Sequence, residues 1–125
     1  MIYLASPYTH KQPEVEQLRY EQVMDITAHL MGLNCPVFSP IVHCHILAKK
    51  YKLPTDFSYW QSYSESAIVS CESFMIAAID GWKDSRGVRT EYKFAVNEDK
   101  RISLVEQKNT GYWVMPEAIT KNPFN

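Results

Sequence analysis

Apolar residues along this chain fall into two rhythms. Short apolar runs, unbroken over residues 1–5, 37–38 and 74–79 and interrupted by Ser103 over 102–105, predict strands, because a strand covered on both faces reads as near-continuous apolar sequence. Between these runs the apolar positions recur at helical spacing. Val15, Leu18, Val23, Ile26 and Leu30 predict a helix over 13–32, with Pro13, Glu14 and Glu16 suited to its first turn and Gly32 to its stop. Residues 41–50 predict a short helix that ends before Pro54, and Asp56 or Ser58 caps another running through Tyr63, Ala67 and Ser70. Val88, Tyr92, Ala95 and Val96 form the apolar face of a helix over 85–99. Residues 112–125 carry two prolines and read as a weakly structured tail or one last short element.

Strand and helix therefore alternate, which predicts a parallel sheet with helices on both faces. The expected architecture is a single-domain, Rossmann-like (flavodoxin-like) three-layer sandwich with a mainly parallel five-stranded sheet. At 125 residues the chain suits one domain, 1–125, with a tail from about 107. A net charge of −1 supplies no basic field, so nucleic acid is excluded as an expected partner. Three cysteines without a CxxC pair suggest reduced thiols. The apolar runs are too short for a membrane span and the N-terminus lacks a leader pattern, so a soluble, cytoplasmic protein is expected.

Ligands of such sheets bind beyond the carboxyl ends of the strands, which brings together loops 6–10, 39–45 and 81–87. They carry Ser6, Tyr8, His43, His45, Asp84 and Ser85, and Asp80 immediately precedes the third. A strand passing through a glycine-containing turn into a helix also presents free N–H groups and a positive dipole end. Glu91 lies beside that helix's apolar face, and an inward carboxylate there is the first suspect for chemistry. Each residue also has a plainer role. Glu91 suits a surface ion pair, Tyr3 a core aromatic, Ser85 an N-cap and Asp80-Gly81 a turn. Trp60 and Trp82 suit packing as well as stacking. His43 and His45 are too isolated from other ligands for a metal site, and pocket lining or a subunit contact suits them better.

The segment Tyr3-Leu4-Ala5-Ser6-Pro7-Tyr8, the segments Phe38-Ser39-Pro40-Ile41 and His43-x-His45, and the block Gly81-Trp82…Ser85…Gly87-Val88…Glu91 occur in this order. Together they resemble the nucleoside 2-deoxyribosyltransferase superfamily, and within it the DUF1937 branch. The resemblance implies that Glu91 attacks C1′ of a 2-deoxyribosyl group, forming a covalent glycosyl-enzyme that water or another base then resolves. It implies that Tyr3 positions Glu91 and that Ser85 contacts the 5′ end of the sugar. Ser6, Pro7, Tyr8, His43, His45, Gly81, Trp82, Asp84 and Gly87 would bind the substrate, with Arg86 or Arg89 adding phosphate contacts. No cofactor is implied. The implied partners are a small-molecule nucleoside or nucleotide and further copies of this chain, as a dimer or tetramer, with residues 57–63 as an interface strip.

One departure matters. Where the family places an aspartate that protonates the leaving base, this chain has Ser64. Glu65 is adjacent, but one residue turns a side chain by about 100° around a helix. Glu65, Asp80, Asp84 or a histidine is left as acid/base candidate. The alternative expectation is a non-catalytic protein that binds or sequesters nucleotides on the same scaffold.

Overall fold

Strand residues divide between two cores, one on each side of the sheet. The computed structural model describes residues 1–108, 111–114 and 118–125. In β1 (Ile2–Ala5), Tyr3 and Ala5 face one core and Leu4 the other. In β3 (Ser73–Ala77), Phe74 and Ile76 join the first core, and Met75 and Ala77 the second. In β4 (Arg101–Lys108), Ile102 and Leu104 take the first side and Val105 the second. With both faces buried, β1 and most of β3 stand out as apolar runs, whereas β4 carries the buried Ser103 between Ile102 and Leu104.

The helices cover the two faces unequally. α1 (Pro13–Gly32) packs Val23, Ile26 and Leu30 on the second face, where Ile41 and Val42 from the start of α2 (Pro40–Tyr51) join it. α3 (Phe57–Ser70) and α4 (Arg86–Asn97) bring Ile68, Val88 and Ala95 to the first face. Each fully buried aliphatic side chain of this kind contributes roughly 1.5–3 kcal/mol by leaving water.

The parallel part of the sheet has the order β2-β1-β3-β4, with β2 formed by Val37–Phe38. β5 (Gly111–Val114) pairs antiparallel with β4 at the edge. From β1 the chain moves outward to β2, then returns past β1 to β3. The direction of winding thus reverses between β1 and β3, and their carboxyl ends open a crevice.

Several expectations shift at their ends. The predicted strand over 74–79 stops at Ala77, and Ile79 is buried in the connection that follows. β4 runs three residues beyond the expected 105, to Lys108, because β5 pairs with its outer half. Gly32 closes α1 without a left-handed conformation, which Asn34 adopts instead at φ 60°. In the tail, residues 112–114 lie in β5, while 115–117 fall outside the described residues. Ile119 N–H then donates to the Ile102 carbonyl at 2.7 Å, and the Phe124 ring packs on Trp82 and Tyr92. Among the described residues no helix is long and apolar enough to cross a membrane.

Candidate functional site

β1 is central in the sheet, so Tyr3 has no exposure at all. Its ring stacks on Phe74 of β3 at 5.6 Å and leans on Phe38 of β2 at 6.2 Å. Those neighbours fix the ring and aim its hydroxyl toward α4. There it donates to Glu91 Oε2 at 3.0 Å. α4 starts with Ser85 as N-cap, whose Oγ accepts from Val88 N–H at 3.2 Å, and carries Glu91 inward beside Val88 and Ala95. The hydrogen bond joins residues 88 positions apart in sequence and ties the first strand to the last helix.

Glu91 is only 8% exposed, and burial pushes its carboxyl up to about 7, against the opposing pull of the Tyr3 and Ser64 hydroxyls. Tyr3 is itself driven well above the usual tyrosine range by burial and by the neighbouring carboxylate, so it stays a hydrogen-bond donor. A buried carboxyl poised near neutrality beside a fixed hydroxyl is typical of chemical sites rather than of surface ion pairs.

Glu91 opens onto a cavity of about 630 Å³, a size suited to a small organic ligand. Ser6 and Tyr8 from the β1 loop line it, as do Gly81, Asp84, Ser85 and Gly87 from the β3–α4 connection. One wall is aromatic, with Phe57, Trp60 and Tyr63 of α3, and Ser64 of the same helix is 97% buried (3% exposed) at the cavity. The hydroxyl of Ser64 therefore stands beside the Tyr3–Glu91 pair, where sequence reasoning expected an acid. Cys44 also lines the cavity, its thiol held neutral because burial raises it.

Other expected site residues lie elsewhere. His45 is buried behind the cavity wall, stacked on Tyr20 at 4.1 Å and hydrogen-bonded through Nδ1 to the Tyr8 hydroxyl. Burial lowers His45 and raises Tyr8 to about 12, so the pair is neutral and supports the wall from behind. His43 stacks on the outer side of Tyr63 at 6.3 Å and does not line the cavity. Pro7 is fully buried, and Trp82 packs against Phe124 at 5.4 Å. Asp80 is exposed beside a smaller surface depression. Glu65 accepts from Gln61 Nε2 at 3.1 Å outside the cavity lining, as expected from its 100° offset from Ser64. Of the three carboxylate candidates for acid/base work, Asp84 alone lines the cavity. Arg86 lines it too, whereas Arg89 donates through Nε to the Lys83 carbonyl at 2.6 Å.

Sequence reasoning missed Arg19. On α1 it reads as one more polar surface residue, and nothing local marks it. In the fold its Nη1 donates to the carbonyls of Tyr8 and Thr9, at 3.3 and 3.0 Å, and the guanidinium reaches Gly81 across the crevice. Gly81 has φ +88°, and a Cβ built there would lie 2.5 Å from Arg19 Nη2. Gly81→Ala should therefore cost about 1–3 kcal/mol in a urea titration through left-handed strain, and should displace Arg19 as well. An unchanged midpoint would contradict this reading of the turn.

A parallel α/β sheet, helices on both faces, and a buried carboxylate facing a cavity at the winding reversal place the molecule in the class of α/β domains whose sites lie at the strands' carboxyl ends. Within that class, the chain belongs to the DUF1937 family, whose model, described as a domain of unknown function, matches residues 1–107. No curated protein matches the chain.

Proposed function

We propose that this protein cleaves or transfers at the N-glycosidic bond of a 2-deoxynucleoside or its 5′-monophosphate, on a flavodoxin-like scaffold of the nucleoside 2-deoxyribosyltransferase type. The observation that carries the reading is the Tyr3–Glu91 hydrogen bond of 3.0 Å at the floor of a ligand-sized cavity. A Glu91 carboxylate oxygen attacks C1′ as the bond to the base breaks, and the base leaves with the electron pair. Water or a second base then attacks C1′ and displaces Glu91 as a carboxylate, giving up its proton to the group that protonated the departing base. The absent 2-hydroxyl makes the oxocarbenium-like transition state easier to reach, so a positioned carboxylate suffices without a metal. Tyr3 holds the attacking group in one orientation, which is the entropic part of such catalysis. Of the acid/base candidates, Asp84 is the one that lines the cavity, and we assign it the proton for the departing base.

A second reading has its own support. Ser64, and not an acid, occupies the position beside the nucleophile, and a missing general acid slows such departures by roughly 10²–10⁴-fold. A protein that binds nucleotides without turning them over would tolerate that loss. Incubation with a panel of deoxynucleosides and their 5′-monophosphates, with chromatographic detection of free base, distinguishes the two. Release that disappears in Glu91→Ala is the expected result. Binding without release, unchanged in that variant, would establish the sequestering role instead.

A further inference from the structure

Ile119 and Phe124 bring residues 118–125 onto the first face of the sheet, beside the connection that carries Asp84. Ile119 is tied to β4 through its N–H on the Ile102 carbonyl. Asn122 and Pro123 then open a four-residue turn, in which Asn125 N–H reaches the Asn122 carbonyl at 3.4 Å. Asn in the first place and Pro in the second suit such a turn. The Asn122 side chain also accepts from Phe124 N–H at 2.9 Å, which fixes the main chain beneath the Phe124 ring.

That ring touches three side chains from two elements. It meets Trp82 at 5.4 Å and Tyr92 edge-on at 5.2 Å, and the Arg89 guanidinium lies 5.0 Å from its centre. Arg89 and Tyr92 are three residues apart on α4 and so share one face of it. Trp82 opens a short 3-10 turn, Trp82–Asp84, between β3 and α4. Arg89 in turn donates through Nε to the Lys83 carbonyl at 2.6 Å. Phe124 therefore reaches this turn by two routes. One is its contact with the Trp82 ring, and the other passes through Arg89 to the main chain at Lys83.

The turn has little else to hold it. Asp84 N–H donates to the Gly81 carbonyl at 3.2 Å and Ser85 N–H to the Trp82 carbonyl at 3.3 Å, and 3-10 hydrogen bonds are poorer in geometry than α-helical ones. Asp84 is exposed on the cavity rim, so packing does not hold its side chain and the main chain beneath sets its place. We propose that Phe124 is a positioning residue, which clamps the turn over residues 82–85 from outside the cavity and so holds the Asp84 carboxyl at the rim. The clamp is independent of the reaction. Its effect on turnover rests on the N-glycosidic reading, with Asp84 as the proton donor.

Hydrogen exchange followed by NMR on the unliganded protein tests the clamp without any substrate. In Phe124→Leu the amides of Trp82, Asp84 and Ser85 should exchange roughly tenfold faster, while those of β1 and β3 keep the wild-type rate. Arg89→Met should act alike, since it keeps the apolar stem and removes the donor to Lys83. Phe124→Tyr keeps the ring and should stay close to wild type. Turnover is then measured on the deoxynucleoside or 5′-monophosphate of the panel that releases base fastest. Phe124→Leu should lower kcat by roughly tenfold and leave KM near its wild-type value, because the aromatic wall of α3 stays in place. In an Asp84→Asn background the same substitution should cost nothing further, as expected of a residue that acts through Asp84. Unchanged exchange at the turn, or equally faster exchange throughout the chain, in both Phe124→Leu and Arg89→Met would overturn the clamp. An undiminished kcat, or a loss that persists in full in the Asp84→Asn protein, would overturn the positioning of Asp84. Faster exchange at the turn with no base release from any substrate would support the clamp and remove the glycosidic reading.

Discussion

Glu91→Gln should abolish base release and, above neutral pH, make the fold more stable. Loss of a covalent nucleophile typically costs roughly 10⁴-fold or more in turnover, and the amide is nearly the same size, so the cavity keeps its shape. The stability gain follows from the raised carboxyl, which moves from an ordinary 4.5 to about 7 on folding. Below 4.5 the group is neutral in both states and costs nothing. Between 4.5 and about 7 the unfolded chain ionises first, so stability drains away as pH rises. Above about 7 the deficit is constant, on the order of 3 kcal/mol. Gln cannot ionise, and its carbonyl still accepts from the Tyr3 hydroxyl. Urea titrations at pH 5 and pH 8 should therefore show the variant ahead of wild type mainly at pH 8. Equal midpoints at pH 8 would mean that the carboxyl is hydrated in the native state.

Tyr3→Phe should leave the core intact and impair the chemistry. The ring keeps its stack on Phe74, so the fold loses little packing. The carboxylate loses a donor to its charged form, which is worth about 1.5–3 kcal/mol, or roughly tenfold or more in rate at pH 7. Because that hydroxyl holds the Glu91 carboxyl down, its removal raises it further. If ionised Glu91 is the nucleophile, wild-type activity should climb as pH rises through about 7, and the climb should move to higher pH in Tyr3→Phe. A lower plateau with an unmoved limb would show that Tyr3 orients the group without tuning it.

Much of this was legible in sequence, for a physical reason. Strands buried on both faces favour near-continuous apolar runs, and Pro13, Ser85 and Asp56 mark helix starts through backbone chemistry that does not depend on the rest of the fold. Glu91 stood out because an acid beside an apolar helical stripe is locally inconsistent, and such inconsistencies gather at sites. Arg19 has no such local signature. Its role comes from a long side chain spanning to Gly81 in another loop, a relation that no periodicity encodes. His45 shows the opposite failure. Its position after β2 suggested the cavity, but the helical turn of α2 directs it to Tyr20, behind the wall it was expected to line.

Gly87 has no side chain, and the Phe57 ring occupies the space one would need: a Cβ there would lie 3.3 Å from Phe57 Cδ2. The two helices that bracket the cavity are thus spaced by the main chain of one against an aromatic edge of the other, with no side chain on the α4 side to adjust. Substitutions at wall side chains such as Trp60 and Tyr63 that keep this contact should reshape the cavity without shifting Glu91 relative to Tyr3.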